Sequence, residues 1–160
     1  MRGEDAPPDP TRVVADADVL AADLLVGGPA RRALDVVRRH SWLDLFVTAP
    51  LLDDAGSVVA EVAEPGLADE WRRRVERSTV RVEQPSGDHP ALSAAYRGDA
   101  AHLLSFDERL RSARAGAELR GLFDVSVRSP DAFVTVFDPA AVYETAVGEA
   151  YPGPDRDPRA

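Results

Sequence analysis

The sequence predicts an α/β fold: three layers, α/β/α, around a central, mostly parallel sheet of about five strands. Three observations carry this. Short apolar runs of four or five residues recur along the chain. Amphipathic stretches of helix length separate them, and Gly and Pro fall at the boundaries. Alternation of this kind implies parallel strands joined by crossover helices. Right-handed crossovers then leave a doubly wound sheet, whose crevice lies outside the carboxyl ends of the strands. The length of 160 residues fits one domain.

Residues 1–11 are acidic and carry Pro7, Pro8 and Pro10, so they read as a disordered N-terminal tail. Residues 148–160, with Pro152, Pro154 and Pro158, read as a C-terminal tail, which leaves 12–147 as the domain. The first strand is the apolar run Arg12 to Ala15, ending at Asp16. A helix follows from Asp18, a good N-cap, to Val26. Gly27-Gly28 stops it, and Pro29 suits the first turn of a second helix reaching Arg39. Leu45 to Val47 is the second strand and Ala49 to Ala63 the third helix. Pro65-Gly66 ends that helix. Leu67, Trp71 and Val75 then recur at helical spacing and form the apolar stripe of a fourth helix over 67–77. Thr79 to Val82 is the third strand, and Pro85-Ser86-Gly87 a turn. A fifth helix runs from His89 to Arg97, stopped by Gly98. Ala101 to Leu104 is the fourth strand, 110–119 is helical, and Phe123 to Val127 is the fifth strand. Further helices start at Pro130 and Pro139.

Charge narrows the function classes. All 19 basic residues are Arg, against 28 acids of which 18 are Asp, for a net charge of −9. That balance argues against a protein that coats DNA. The absence of Cys excludes disulfides, a thiolate zinc site and a cysteine nucleophile. No apolar run approaches the roughly 18 residues of a membrane span. The N-terminus lacks an apolar signal region, so a cytoplasmic protein with no membrane contact is expected. An Asp-rich, Lys-free surface fits a salt-adapted cytoplasm, because molar salt shortens the Debye length to about 3 Å and screens the repulsion.

The residues after the strands hold the chemistry. Asp16 and Asp18 follow the first strand, and Ser105-Phe106-Asp107 the fourth. Asp88 follows the third strand, and Asp53-Asp54 open the helix after the second. Asp18, Asp53 and Asp88 are each plausible helix caps. Together, though, these carboxylates converge on one rim. Close carboxylates repel unless a cation lies between them, and hard ions such as Mg²⁺ or Mn²⁺ take oxygen ligands. His40, His89 and His102 stand apart without metal-ligand spacing and read as structural or solvated.

Three stretches resemble the PIN-domain nucleases. Val13-Val14-Ala15-Asp16-Ala17-Asp18-Val19-Leu20 resembles that family's opening motif. Residues 88–110 resemble its third and fourth acidic motifs, with Asp88 and Asp107 19 residues apart. Val127-Arg128-Ser129-Pro130-Asp131-Ala132-Phe133 resembles its closing segment. The resemblance covers 12–137 and implies a halophile-type, metal-dependent nuclease acting on RNA. It implies Asp16, Asp88 and Asp107 as acidic metal-site positions, with Asp54, preferred over Asp53, as the second acid. The cofactor implied is Mg²⁺ or Mn²⁺, bound by Asp16, Asp54, Asp88 and Asp107. The ion orients a water and stabilises charge on the phosphate. Ser105 matches the small hydroxyl position of the last motif and is expected, with Arg109 and Arg111, to contact the substrate. Asp18 replaces a common Asn. Arg109 stands where many members carry another acid, and there it weakens metal binding or holds a phosphate.

An RNA substrate needs cations, and Arg109 and Arg111, directly after Asp107, are the best placed. The pairs Arg31-Arg32 and Arg38-Arg39 and the run Arg72-Arg73-Arg74 read as solvated helix faces paired with acids. Trp42, Tyr96 and Phe106 are candidates to stack a base; Trp71 reads as core. Two other readings stand beside the nuclease. One is a PIN-like interaction module without catalysis. The other is the toxin of a toxin–antitoxin pair, whose partner inserts an Arg into the acidic cleft. The resemblance also allows a homodimer.

Overall fold

The computed structural model describes residues 8–83, 90–111 and 125–159. Five parallel strands form one sheet in the order β3-β2-β1-β4-β5. They are β1 (Asp9–Ala15), β2 (Asp44–Val47), β3 (Val80–Arg81), β4 (Ala100–Leu104) and β5 (Ser126–Arg128). Eight helices are described: α1 (Ala17–Leu25), α2 (Gly28–Arg38), α3 (Ala49–Val62), α4 (Pro65–Ser78), α5 (Pro90–Arg97), α6 (Glu108–Arg111), α7 (Pro130–Val136) and α8 (Pro139–Val147). The fold is the expected three-layer α/β/α arrangement. Of the helix expected over 110–119, only 110 and 111 lie within the described residues, and the turn at 85–87 lies outside them.

The apolar runs become the centre. Val13, Val14 and Ala15 of β1 are fully buried, as are Leu103 and Leu104 of β4. A central strand is covered on both faces, so its run is continuously apolar rather than alternating. α1 rests on α2 and α3, while α5 lies over β1, β2 and β4. Leu20, Leu34, Leu51 and Leu52 fill the helical layer at 1% exposure or less. Each such side chain contributes about 1.5–3 kcal/mol by leaving water.

Several local expectations change. β1 starts at Asp9, inside the expected tail, because the Asp9 N–H donates to Asp99 O at 2.7 Å and ties it to the fourth strand. Asp16, not Asp18, is the N-cap of α1, and Thr48, not Asp53, caps α3 through Leu51 N–H. Asp53 instead pairs with Arg72 of α4 at 2.6 Å. Trp71 and Val75 are core, but Leu67, in the first turn of α4, remains 44% exposed. Gly98 does end α5, yet the left-handed residue is Asp99, at φ 53°. Gly98 is needed for closeness: a Cβ there would stand 2.5 Å from the Phe46 ring.

The C-terminal segment is docked rather than loose. Asp155 and Arg156 donate backbone N–H to Arg39 O. Asp155 also accepts from the Ser41 N–H at 2.7 Å and from the Ser41 hydroxyl. Tyr151 Oη lies 2.6 Å from Nε2 of buried His40, and Arg159 pairs with Asp35 at 2.7 Å. Among the described residues no helix is long and apolar enough to cross a membrane.

Candidate functional site

The site is built by strand register. Ala15 of β1 is paired with Leu104 of β4, so Asp16 and Ser105 are the first residues beyond the two strands. The sheet order reverses between β1 and β4, and there the carboxyl ends of neighbouring parallel strands open a crevice. The backbone continues the ladder: Asp16 N–H donates to Leu104 O at 2.8 Å and Ser105 N–H to Arg128 O at 3.0 Å.

Side chains knit the two ends together. Asp16 accepts from Ala17 N–H through Oδ1 at 2.8 Å. Its Oδ2 accepts from the Ser105 hydroxyl, also at 2.8 Å. The same hydroxyl accepts the Asp107 N–H at 3.0 Å. Phe106 N–H donates to Asp18 Oδ2 at 3.2 Å, and Asp107 Oδ1 accepts Arg109 N–H at 2.9 Å. Asp16, Asp18 and Asp107 thus share one rim, with Ser105 beneath them. Ser105 is fully buried and its hydroxyl is used on both sides. It is a positioning residue, not the substrate contact expected from the sequence.

The electrostatics show the crowding. The Asp18 carboxyl is pushed up to about 6, first by partial burial, then by the charge of Asp16, with Asp107 adding to it. N–H donation from Phe106 and Val19 opposes the rise. One side of Asp18 stays open to solvent. The sequence offers this residue both as a helix cap and as a rim carboxylate, and the structure makes Asp16 the cap. The signal of Asp18 for the rim was the two-residue spacing from Asp16, which puts both at the mouth of one strand.

The other expected residues divide. Asp88 lies outside the described residues, as does His89. Asp54 is exposed on α3. Among the described residues no three His, Asp or Glu side chains gather as a ligand group, so Asp54 is not brought together with Asp16 and Asp107. Arg109 and Arg111 lie on α6, directly after the Asp107 loop. Phe106 is 41% exposed at the rim, while Trp42 is engaged with His40 and Tyr143. Tyr96 is 52% exposed on α5, away from these bonds. Arg31, Arg32, Arg38 and Arg72 are committed to structural partners at Asp23, Asp131, Asp35 and Asp53. A family model covers residues 7–159 of the chain.

The chain belongs to the DUF7384 family.

DUF7384 is described as a family of unknown function, so membership supplies no activity and the site must be read from its own chemistry. No curated protein matches this DUF7384 chain. The donor chemistry at its rim suits a hard divalent ion: carboxylate oxygens, no sulfur and no imidazole.

Proposed function

We propose that this protein is a divalent-metal-dependent ribonuclease of PIN-like type, working in the cytoplasm. One observation carries the reading: at the switch point of a parallel sheet the Ser105 hydroxyl ties the Asp16 carboxylate to the Asp107 backbone, and the neighbouring Phe106 N–H holds Asp18. The motifs around Asp16 and Asp107 resemble the PIN nucleases, and the rim holds the oxygen donors their chemistry uses. Asp16 and Asp107 would hold the Mg²⁺ or Mn²⁺ ion, with Asp88 as a further acid on the family pattern; Asp54, exposed on α3 and apart from them, would not take part. When bound, the ion supplies charge stabilisation at the phosphate and lowers the pKa of a water. Ser105 fixes the rotamer of the Asp16 carboxylate and the path of the Asp107 loop. Arg109 and Arg111 on α6 contact the RNA phosphates. Phe106, exposed beside Asp18, offers a stacking face for a base.

A second reading is favoured by a specific observation. Arg109 stands where many members of the PIN family carry another acid, which fits a PIN-like module without catalysis. The two readings separate in one experiment. Mn²⁺ is titrated at high KCl, and cleavage of single-stranded RNA is followed for the wild type and Asp16→Asn. The nuclease reading expects saturable Mn²⁺ binding and a loss of about 100-fold or more in Asp16→Asn. No Mn²⁺ binding, or equal cleavage by both proteins, overturns it in favour of the module.

A further inference from the structure

A cavity of about 540 Å³ opens at the amino ends of β2 and β3, the opposite end of the sheet from the carboxylate rim. Its position follows from the lining. Leu43 precedes β2, Ser78 closes α4 before β3, and Leu24 lies near the end of α1. The C-terminal segment 156–159 forms the outer wall. A volume of this order suits a small organic ligand.

The two halves of the wall differ in chemistry. Leu45, Trp71 and Val75 give an apolar floor. Five arginines also line the cavity, in a chain whose net charge is −9. Three of the five are already used. Arg31 donates to Asp23 O at 2.7 Å, Arg38 grips the Asp23 carboxylate, and Arg159 pairs with Asp35. The carboxylates lining the cavity are likewise engaged: Asp23 by Arg38, and Asp157 by the Arg159 N–H at 2.8 Å. Arg74 of α4 and Arg156 of the C-terminal wall remain. Among the described residues neither guanidinium has a hydrogen bond or an ion pair. Backbone bonding of Arg156 N–H to Arg39 O holds the second wall in place.

We propose that this cavity binds a phosphate monoester carried on a flat apolar body, the chemistry of a nucleoside monophosphate. Two unpaired guanidiniums lining one cavity, from α4 and from the C-terminal segment, match a dianion, and the planar fork of Arg suits phosphate oxygens. The apolar floor beside them takes a flat ring, with Trp71 and Val75 as its contacts. A monocarboxylate would satisfy one of the two cations. The proposal is independent of the carboxylate rim and of any nuclease activity there.

The phosphate can come from a free mononucleotide or from the 5′ end of an RNA strand, and one calorimetric titration covers both. The full chain is titrated without divalent metal against adenosine 5′-monophosphate, adenosine, inorganic phosphate and a 5′-phosphorylated oligoribonucleotide. The monophosphate is expected to bind at least about tenfold more tightly than adenosine or inorganic phosphate. Arg74→Gln and Arg156→Gln are each expected to weaken it by about tenfold. Both positions are exposed, so both variants are expected to keep the wild-type circular dichroism. Tighter binding of the mononucleotide than of the oligonucleotide assigns the site to a free nucleotide; equal or tighter binding of the oligonucleotide assigns it to a strand end. Monophosphate binding no tighter than that of adenosine, or binding untouched by both substitutions, overturns the proposal.

Discussion

Asp18 and His102 titrate in opposite senses over nearly the same pH range. The folded state lifts Asp18 from 3.8 to about 6, so between those values it holds more protons than the unfolded chain. Stability from this group falls as pH rises through that window and stays lowered above it. Burial against Phe133 and Phe137 lowers His102 from 6.5 to about 4, the Arg128 charge adds to this, and the Pro10 backbone opposes it weakly. Its contribution is complete above 6.5 and is lost as pH falls towards 4. The wild-type profile is therefore flattened, and substitutions separate the two terms. Asp18→Asn is expected to raise stability near pH 7 by about 1 kcal/mol, a figure reduced for the solvent-facing side of the carboxyl. It should change little near pH 3, where Asp18 is neutral in both states. His102→Phe is expected to remove an acid-side loss of about 2–3 kcal/mol. Urea midpoints at several pH values check both, and unchanged slopes in the two variants would refute the assignment. At this scale the sequence was half legible. A strand ending in Asp marks Asp16, but the two-sided role of Ser105 depends on a partner 89 residues away.

Helices and strands met their sequence signals most closely where the signal was local. Pro29 stands in the first turn of α2, behind the cap Gly27 at φ 78° and the first helical residue Gly28 at φ 52°. The Ser129-Pro130 pair starts α7, with Ser129 accepting from Ala132 N–H at 3.2 Å. Gly98 was correctly placed but for a reason no local rule contains. Its missing Cβ makes room for Phe46, a residue of β2 that reaches it only in the folded sheet. Gly98→Ala is therefore expected to destabilise by about 1–3 kcal/mol through overpacking, although Ala is the better helix former. Phe46→Leu in the same background should recover part of that loss, because it withdraws the ring. Denaturant melts of the two single variants and the double variant test this. Additive losses would show that the two residues do not meet. The C-terminal segment failed the local rule altogether. Its Pro-rich composition reads as tail, yet Tyr151, Asp155 and Arg159 each find a partner on or just after α2.

Across the whole molecule, a net charge of −9 is carried by a domain with chemically distinct ends. Carboxylates crowd the carboxyl ends of β1 and β4, and arginines line the cavity at the amino ends of β2 and β3. Repulsion among the acids costs stability at low ionic strength and is screened in molar salt, where the Debye length is about 3 Å. The melting temperature is expected to rise by several degrees, roughly 5 °C, between dilute buffer and molar KCl. A flat or falling salt series in differential scanning calorimetry would remove the salt-adapted reading. By itself the sequence determined the kind and order of the elements and the single α/β layer plan, because apolar periodicity and Gly/Pro punctuation are local properties. It also marked Asp16 and Asp107 as strand-end acids. Only the tertiary structure decided that β1 lies beside β4, that Asp54 stays on exposed α3 away from the rim, and that 156–159 close one wall of an arginine-lined cavity. Those facts rest on strand order and on contacts between residues far apart in the chain, and no periodicity within a segment records which distant segment it will meet.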